Sequence, residues 1–184
     1  MLKKFMRKYG YYMLAFVAIL VVGITAGIAQ NEHTVDPNTP TNVTEVKMLC
    51  PMNSPEVLKW YSDTELFYNA TLNQWESHKA VDLTSASSPD VFSVLDGTIT
   101  DCSYTYEDGY CVTISHADGL TSIYCSLASV DNLKKGDSVT RGQKIGEASS
   151  TASNESLDGN HLHFALTLNG KKVDPANYIT FENK

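Results

Sequence analysis

The chain has 184 residues, 42% hydrophobic and 19% charged, with 11 Gly and 6 Pro, which excludes a collagen-like, coiled-coil or wholly disordered protein and suits one modest domain with appendages. Lys3, Lys4, Arg7 and Lys8 precede a stretch without charge that lasts until Glu32, and all 21 acidic residues lie beyond it. The remainder sets 10 basic residues against 21 acidic ones, a poor balance for neutralising a nucleic-acid backbone.

Residues 1–8 form a basic tail. Residues 9–31 are uncharged, and Tyr11–Ala29 is long enough to cross about 30 Å of hydrocarbon at about 1.5 Å per residue, so a single transmembrane anchor is predicted. Gly27-Ile28-Ala29 offers small residues before a signal-peptidase cut, but the apolar part of a secretory signal runs to only about 7–15 residues. Either reading exports the body, because the basic end stays in the cytoplasm. The expected location is a cell membrane, crossed once, with the C-terminal domain extracytoplasmic. Residues 32–47 are polar, contain Pro37 and Pro40 and read as a short tether. His33 lies in it with no other ligand type at a useful spacing.

The body is expected over residues 48–179, followed by a tail at 180–184. Its apolar residues fall in short β-branched or aromatic runs: Val91–Leu95, Thr98–Thr100, Cys111–Ser115, Thr121–Cys125 and Leu162–Thr167. Turn signals at Asp96-Gly97, Asp118-Gly119 and Asn169-Gly170 separate them, which predicts an all-β antiparallel domain. The segment Lys135–Gly146 repeats turn, short strand and turn, as in a small folded-over sheet. Cys102 and Cys111 flank a turn at Glu107-Asp108-Gly109, where cross-strand pairing would allow a disulfide. Cys50 and Cys125 read as small buried side chains. No C-x-x-C pair supports a zinc ribbon or a redox motif. The aromatics Trp60, Tyr61, Phe67, Tyr68 and Trp75 are expected to pack in the core rather than to form a partner surface.

Two stretches combine imidazole and carboxylate. His161 and His163 are two apart, so on a strand they share a face. His78 and Asp82 would lie about 13 Å apart on a straight strand, too far for one ion, so His78 must sit on a bend. If the stretches converge, His78, Asp82 and one of the later histidines give three ligands with a fourth position open for water. Open tetrahedral zinc is a hydrolytic arrangement, and the unligated histidine is then placed to move protons or hold an oxyanion.

The segment from about Met48 to Ile179 resembles the LytM/lysostaphin-type zinc endopeptidases, whose pattern runs H-x-x-x-D, Y-x-H-L, H-x-H. His78 and Asp82 match the first element, Tyr124-Cys125-Ser126-Leu127 the second and His161-Leu162-His163 the third. Lys134–Gly146 and Val173-Asp174-Pro175 match as well. The resemblance implies the folded-over, duplicated antiparallel sheets of that family. It implies Zn2+ held by His78, Asp82 and His163, with His161 catalytic, in enzymes that cut peptide cross-bridges of peptidoglycan.

One departure is large. Ser126 stands where the family has its second catalytic histidine, and a hydroxyl does not titrate near pH 7, so turnover is expected to fall by roughly 10²–10⁴. Ala80, where many relatives have Gly, and Ala165, where an acidic residue is frequent, are milder changes. With the anchor and tether, the pattern resembles a clostridial-type sporulation branch of the family. That likeness implies a forespore-membrane protein that reaches into the intermembrane space and docks with a mother-cell partner. The expected function is a membrane-anchored, catalytically impaired, zinc-binding scaffold. The alternatives are an active wall hydrolase and a biotinyl/lipoyl-like adaptor, the last disfavoured because no exposed carrier-lysine turn occurs.

Overall fold

A computed structural model describes residues 48–130 and 132–181 of the chain. The predicted anchor and tether lie outside the described residues. Among the described residues no helix is long and apolar enough to cross a membrane.

The short runs read from the sequence become twelve strands among the described residues: β1 (Glu56–Lys59), β2 (Ser62–Asn69), β3 (Gln74–His78), β4 (Val81–Thr84), β5 (Asp90–Phe92), β6 (Gly97–Thr105), β7 (Gly109–Ser115), β8 (Leu120–Leu127), β9 (Ser138–Val139), β10 (Lys144–Glu147), β11 (Leu162–Leu168) and β12 (Lys171–Val173). Turn chemistry explains several of the corners. Asn169 (φ 50°) and Gly170 (φ 78°) are both left-handed between paired Leu168 and Lys171, the two-residue turn whose twist suits a hairpin. Asp118 and Gly119 are left-handed in the β7–β8 connection, where the Gly119 carbonyl accepts from the Asn169 N–H at 2.9 Å.

The main sheet runs β1-β4-β11-β8-β7-β6-β9, with β12 also on β11. All of these pairings are antiparallel, as the expected fold class requires. Two smaller pairs, β10–β5 and β2–β3, stand apart from it. On one face of the sheet Val81, Leu83, Val112, Ile114, Tyr124, Leu162, Phe164 and Leu166 are buried. Tyr124 and Phe164 pair in register, with ring centroids 5.3 Å apart. The Tyr124 hydroxyl accepts from the Val94 N–H at 3.0 Å, and burial pushes its pKa up to about 12. Because side chains alternate along a strand, Asp82, His163 and Cys125 lie in register on the opposite face.

Two expectations are corrected. The disulfide joins Cys111 to Cys125, and Cys102 carries a free thiol. An irregularity between Ile99 and Asp101 shifts the β6–β7 register so that Cys102 faces Val112 and Ser103 faces Cys111. On its other side, Cys111 meets the bulged part of β8. Of the aromatics near the start of the body, Tyr61 packs against the core, but three others do not. Trp60, Tyr68 and Trp75 are 39%, 47% and 66% exposed. Among the described residues the β2–β3 ribbon pairs with no other strand, and Tyr68 and Trp75 cover each other across it at 5.4 Å.

Candidate metal centre

His78 ends β3, Lys79 and Ala80 make the bend, and Asp82 follows in β4, as the spacing demanded. Asp82 faces His163 across the β4–β11 pair. A bulge in β1 places Lys59 opposite Asp82 on the other side. Four residues, His78, Asp82, Glu155 and His163, bring potential ligand atoms within 4.8 Å of one another. His78 Nε2 is 3.2 Å from Asp82 Oδ1, and His163 Nδ1 is 2.9 Å from that oxygen and 3.2 Å from Glu155 Oε2. His161 Nε2 stands 3.4 Å from Glu155 Oε2. His78, Asp82, His161 and His163 thus meet at one place, with His161 reaching the cluster through Glu155.

Ring orientation tests whether this cluster suits a cation. The His78 Nδ1 lies 3.1 Å from the Trp60 carbonyl, and the His161 Nδ1 lies 2.9 Å from the Gly159 carbonyl. A carbonyl only accepts, so each Nδ1 carries the N–H and a neutral ring turns its Nε2 lone pair toward a carboxylate. Lone pair facing lone pair is repulsive unless a proton or a metal ion lies between them. His78 Nε2, Asp82 Oδ2 and His161 Nε2 are all buried without a hydrogen-bond partner. Imidazoles that give one N–H to a backbone carbonyl and aim the other nitrogen inward have the orientation that metal ligation uses. The donor set fits a divalent cation that accepts nitrogen and oxygen.

Glu155 and Lys59 were not legible in the sequence. Glu155, 5% exposed, belongs to the 3-10 segment Ser153–Asp158. Neighbours fix that segment: the Ser153 N–H donates to the Tyr106 carbonyl at 3.2 Å, the Asn154 carbonyl accepts from Asn69 Nδ2 at 2.9 Å, and the Leu157 N–H donates to Thr71 Oγ1 at 3.2 Å. Lys59 Nζ lies 3.4 Å from Glu155 Oε1, 3.6 Å from Asp82 Oδ2 and 2.5 Å from Asp158 Oδ2. A basic residue directly before Trp60, or an acidic one six positions before His161, has no fixed spacing to flag it.

These contacts set the titration. Burial pushes the Asp82 pKa up, but its close contacts with His163 and His78 outweigh it and hold the carboxyl at about 2. Glu155 is likewise held well below the usual carboxylate range, burial being outweighed by contacts with His161, His163 and Lys59. Burial lowers the His163 pKa, yet Asp82 and Glu155 raise it to about 10, and Glu155 raises His161 against the same opposition. His116 contrasts with them: both ring nitrogens have partners, Nδ1 the Asp96 carbonyl at 2.8 Å and Nε2 the Ser122 hydroxyl at 2.7 Å.

Ser126 sits in a bulge, left-handed at φ 59°, where β8 has one residue more than β7 between paired positions. Its hydroxyl donates to the Ser149 carbonyl at 2.8 Å, and its N–H donates to the Asp108 carbonyl at 3.0 Å. Ser149 in turn bridges to His161. The position therefore borders the cluster but brings no imidazole to it.

The model of Peptidase family M23 matches residues 76–175, more than half of the chain. The chain belongs to peptidase family M23. It is 33% identical over 109 residues to stage II sporulation protein Q of Bacillus subtilis, which covers 58% of this chain and 38% of that protein. It is 30% identical over 104 residues to the DD-carboxypeptidase/endopeptidase Mpg of Neisseria meningitidis, covering 56% of this chain and 23% of the relative. The chain thus spans well under half the length of either. Among solved structures it is similar to the SpoIIQ-SpoIIIAH pore-forming complex, with a TM-score of 0.63 and 27% identity, covering 73% of this chain and 92% of that one. The catalytic domain of lysostaphin from Staphylococcus simulans matches with a TM-score of 0.53 and 26% identity, covering 67% and 90%. An antiparallel, lysostaphin-like M23 fold accounts for both likenesses.

Proposed function

We propose that this M23 protein is anchored by residues 9–31 with its β body outside the cytoplasm, binds zinc through His78, Asp82 and His163, and serves sporulation as a partner-binding component rather than as a wall hydrolase. The observation that carries the reading is Ser126. An imidazole at that position would supply a second acid/base group beside His161, and the hydroxyl present is instead committed to the Ser149 carbonyl. Likeness to stage II sporulation protein Q and to its complex with SpoIIIAH supports a protein partner across the intermembrane space. The Cys111–Cys125 disulfide suits an extracytoplasmic body, since such bonds persist in oxidising compartments.

Zinc, when bound, supplies Lewis acidity and a water of lowered pKa. The chain's own residues do the rest. The Trp60 carbonyl fixes the His78 ring, Asp82 sets the orientation of His163, and Lys59 holds the carboxylates of Asp82, Glu155 and Asp158 together. His161 keeps a lone pair at Nε2, able to accept one proton. A second proton-transfer group at position 126, needed to pass a proton on to a leaving amine, is missing.

A second reading, an active endopeptidase cutting peptidoglycan cross-bridges, is favoured by His161, which remains buried against the cluster. Incubating the full zinc-loaded chain with purified peptidoglycan separates the two. The scaffold reading expects no new amino termini above buffer, and their steady release makes the chain an enzyme.

A further inference from the structure

The zinc-binding reading above names three protein ligands and leaves the fourth position to water. We infer that Glu155 is a fourth protein ligand and closes the centre, so that no coordination position is left for water or substrate. The inference rests on that reading of the site and goes beyond it.

Geometry is the first support. Donors about 2.1 Å from one ion at tetrahedral angles stand ~3.4 Å from each other. The edge from His78 to Asp82 is 3.2 Å and that from His163 to Asp82 is 2.9 Å. The Glu155 carboxylate lies against the same group, with Oε2 3.2 Å from His163 Nδ1 and Oε1 3.9 Å from His78 Nε2. One ligand atom from each of His78, Asp82, Glu155 and His163 lies within 4.8 Å of the other three, so Glu155 reaches the same ion site as the other donors.

Placement is the second. Glu155 does not hang into the site from a free loop, because backbone and side-chain hydrogen bonds tie its segment to the β6–β7 connection on one flank and to the β2–β3 ribbon on the other. A carboxylate buried to this depth needs compensation. Lys59 offsets one charge, but Asp82, Glu155 and Asp158 bring three, leaving a sum of −2 for protons on the imidazoles or a cation to meet. A single divalent cation brings that sum to zero. A closed set of four protein donors is the form taken by structural zinc, and hydrolytic zinc keeps a position open. The proposal thus agrees with the loss of the histidine at position 126, since both changes remove turnover and leave the ion in place.

Coordination is measured directly on the full chain in detergent, loaded with zinc for X-ray absorption or with cobalt(II) for visible spectroscopy. The wild-type chain is expected to show four protein donors, two nitrogen and two oxygen, and a cobalt spectrum indifferent to azide. Glu155→Ala admits an exogenous ligand, so azide shifts its spectrum, and zinc affinity by chelator competition falls ~10²-fold, the upper end of what loss of a mere outer partner costs. Glu155→Gln, which keeps the shape, weakens zinc in the same direction with an unchanged circular dichroism spectrum. A wild-type chain that binds one zinc but whose cobalt spectrum moves with azide overturns the inference and leaves the zinc reading standing. That is also the result expected if Glu155 acts as a base on a metal-bound water. A wild-type chain that binds no stoichiometric zinc overturns both.

Discussion

The two faces of β4, β8 and β11 are made by alternate residues of the same strands, yet they are finished in different ways. On one, Val81, Tyr124 and Phe164 are buried together, and the polar atoms there have partners, the Tyr124 hydroxyl the Val94 N–H and the Ser122 hydroxyl the His116 ring. On the other, Asp82 is buried as deeply, but Asp82 Oδ2 and the Nε2 atoms of His78 and His161 have no hydrogen-bond partner. Unpaired buried polar atoms are rare because each forfeits its hydration. The first face is complete within the chain, and the second leaves buried polar atoms unpaired.

Changes on one face should leave the other untouched, and the largest expected effect is on the metal. Asp82→Ala should lower zinc affinity by on the order of 10³-fold or more, read by chelator competition, since it removes a ligand and the group that orients His163. Next, Ser126→His combined with Glu155→Ala should raise peptidoglycan cleavage by roughly 10²–10⁴ over the wild-type chain, the usual worth of a positioned acid/base group. Histidine is among the side chains that tolerate a left-handed backbone such as that at position 126. No gain in released amino termini would mean that the missing imidazole is not what limits turnover. Phe164→Ala should cost ~3–5 kcal/mol in urea unfolding while zinc affinity stays within about tenfold, and a larger loss of zinc would erase the separation of the two faces.

The smallest effect concerns His116, the described histidine whose ring nitrogens are both satisfied. Burial holds its pKa below the ordinary value of 6.5. The unfolded chain therefore takes up a proton near that pH while the folded chain does not, so this residue's contribution falls as pH drops below about 6.5 and is level above it. Wild type should exceed His116→Gln in stability near pH 7.5, with the gap narrowing toward pH 5.5. A gap that widens on acidification would contradict the sign.

The strand pattern was legible because turn residues such as Asn169-Gly170 and Asp118-Gly119 punctuate it with a local mechanism, and the predicted runs around them became β7, β8 and β11. Of the site, His78, Asp82, His161 and His163 could be read because their short spacings survive in any register. Glu155 and Lys59 could not, since one arrives on an irregular segment and the other through a bulged pairing with a strand more than twenty residues away. The disulfide follows the same rule: proximity to a turn suggests Cys102 with Cys111, and irregular register in β6 and β8 joins Cys111 to Cys125 instead. Tyr68 and Trp75 stand exposed on the ribbon because composition says nothing about whether a second layer lies over them.

Lys59 bears on how the domain behaves once a chelator has stripped it. Small zinc modules collapse on demetallation because the ion is the main thing holding their ligands together. Here an ammonium group stays behind among three carboxylates, and an extensive apolar layer lies beneath them. An emptied chain should keep its shape and take the ion up again, which would make metal content a reversible property of a standing scaffold and not a condition of its existence.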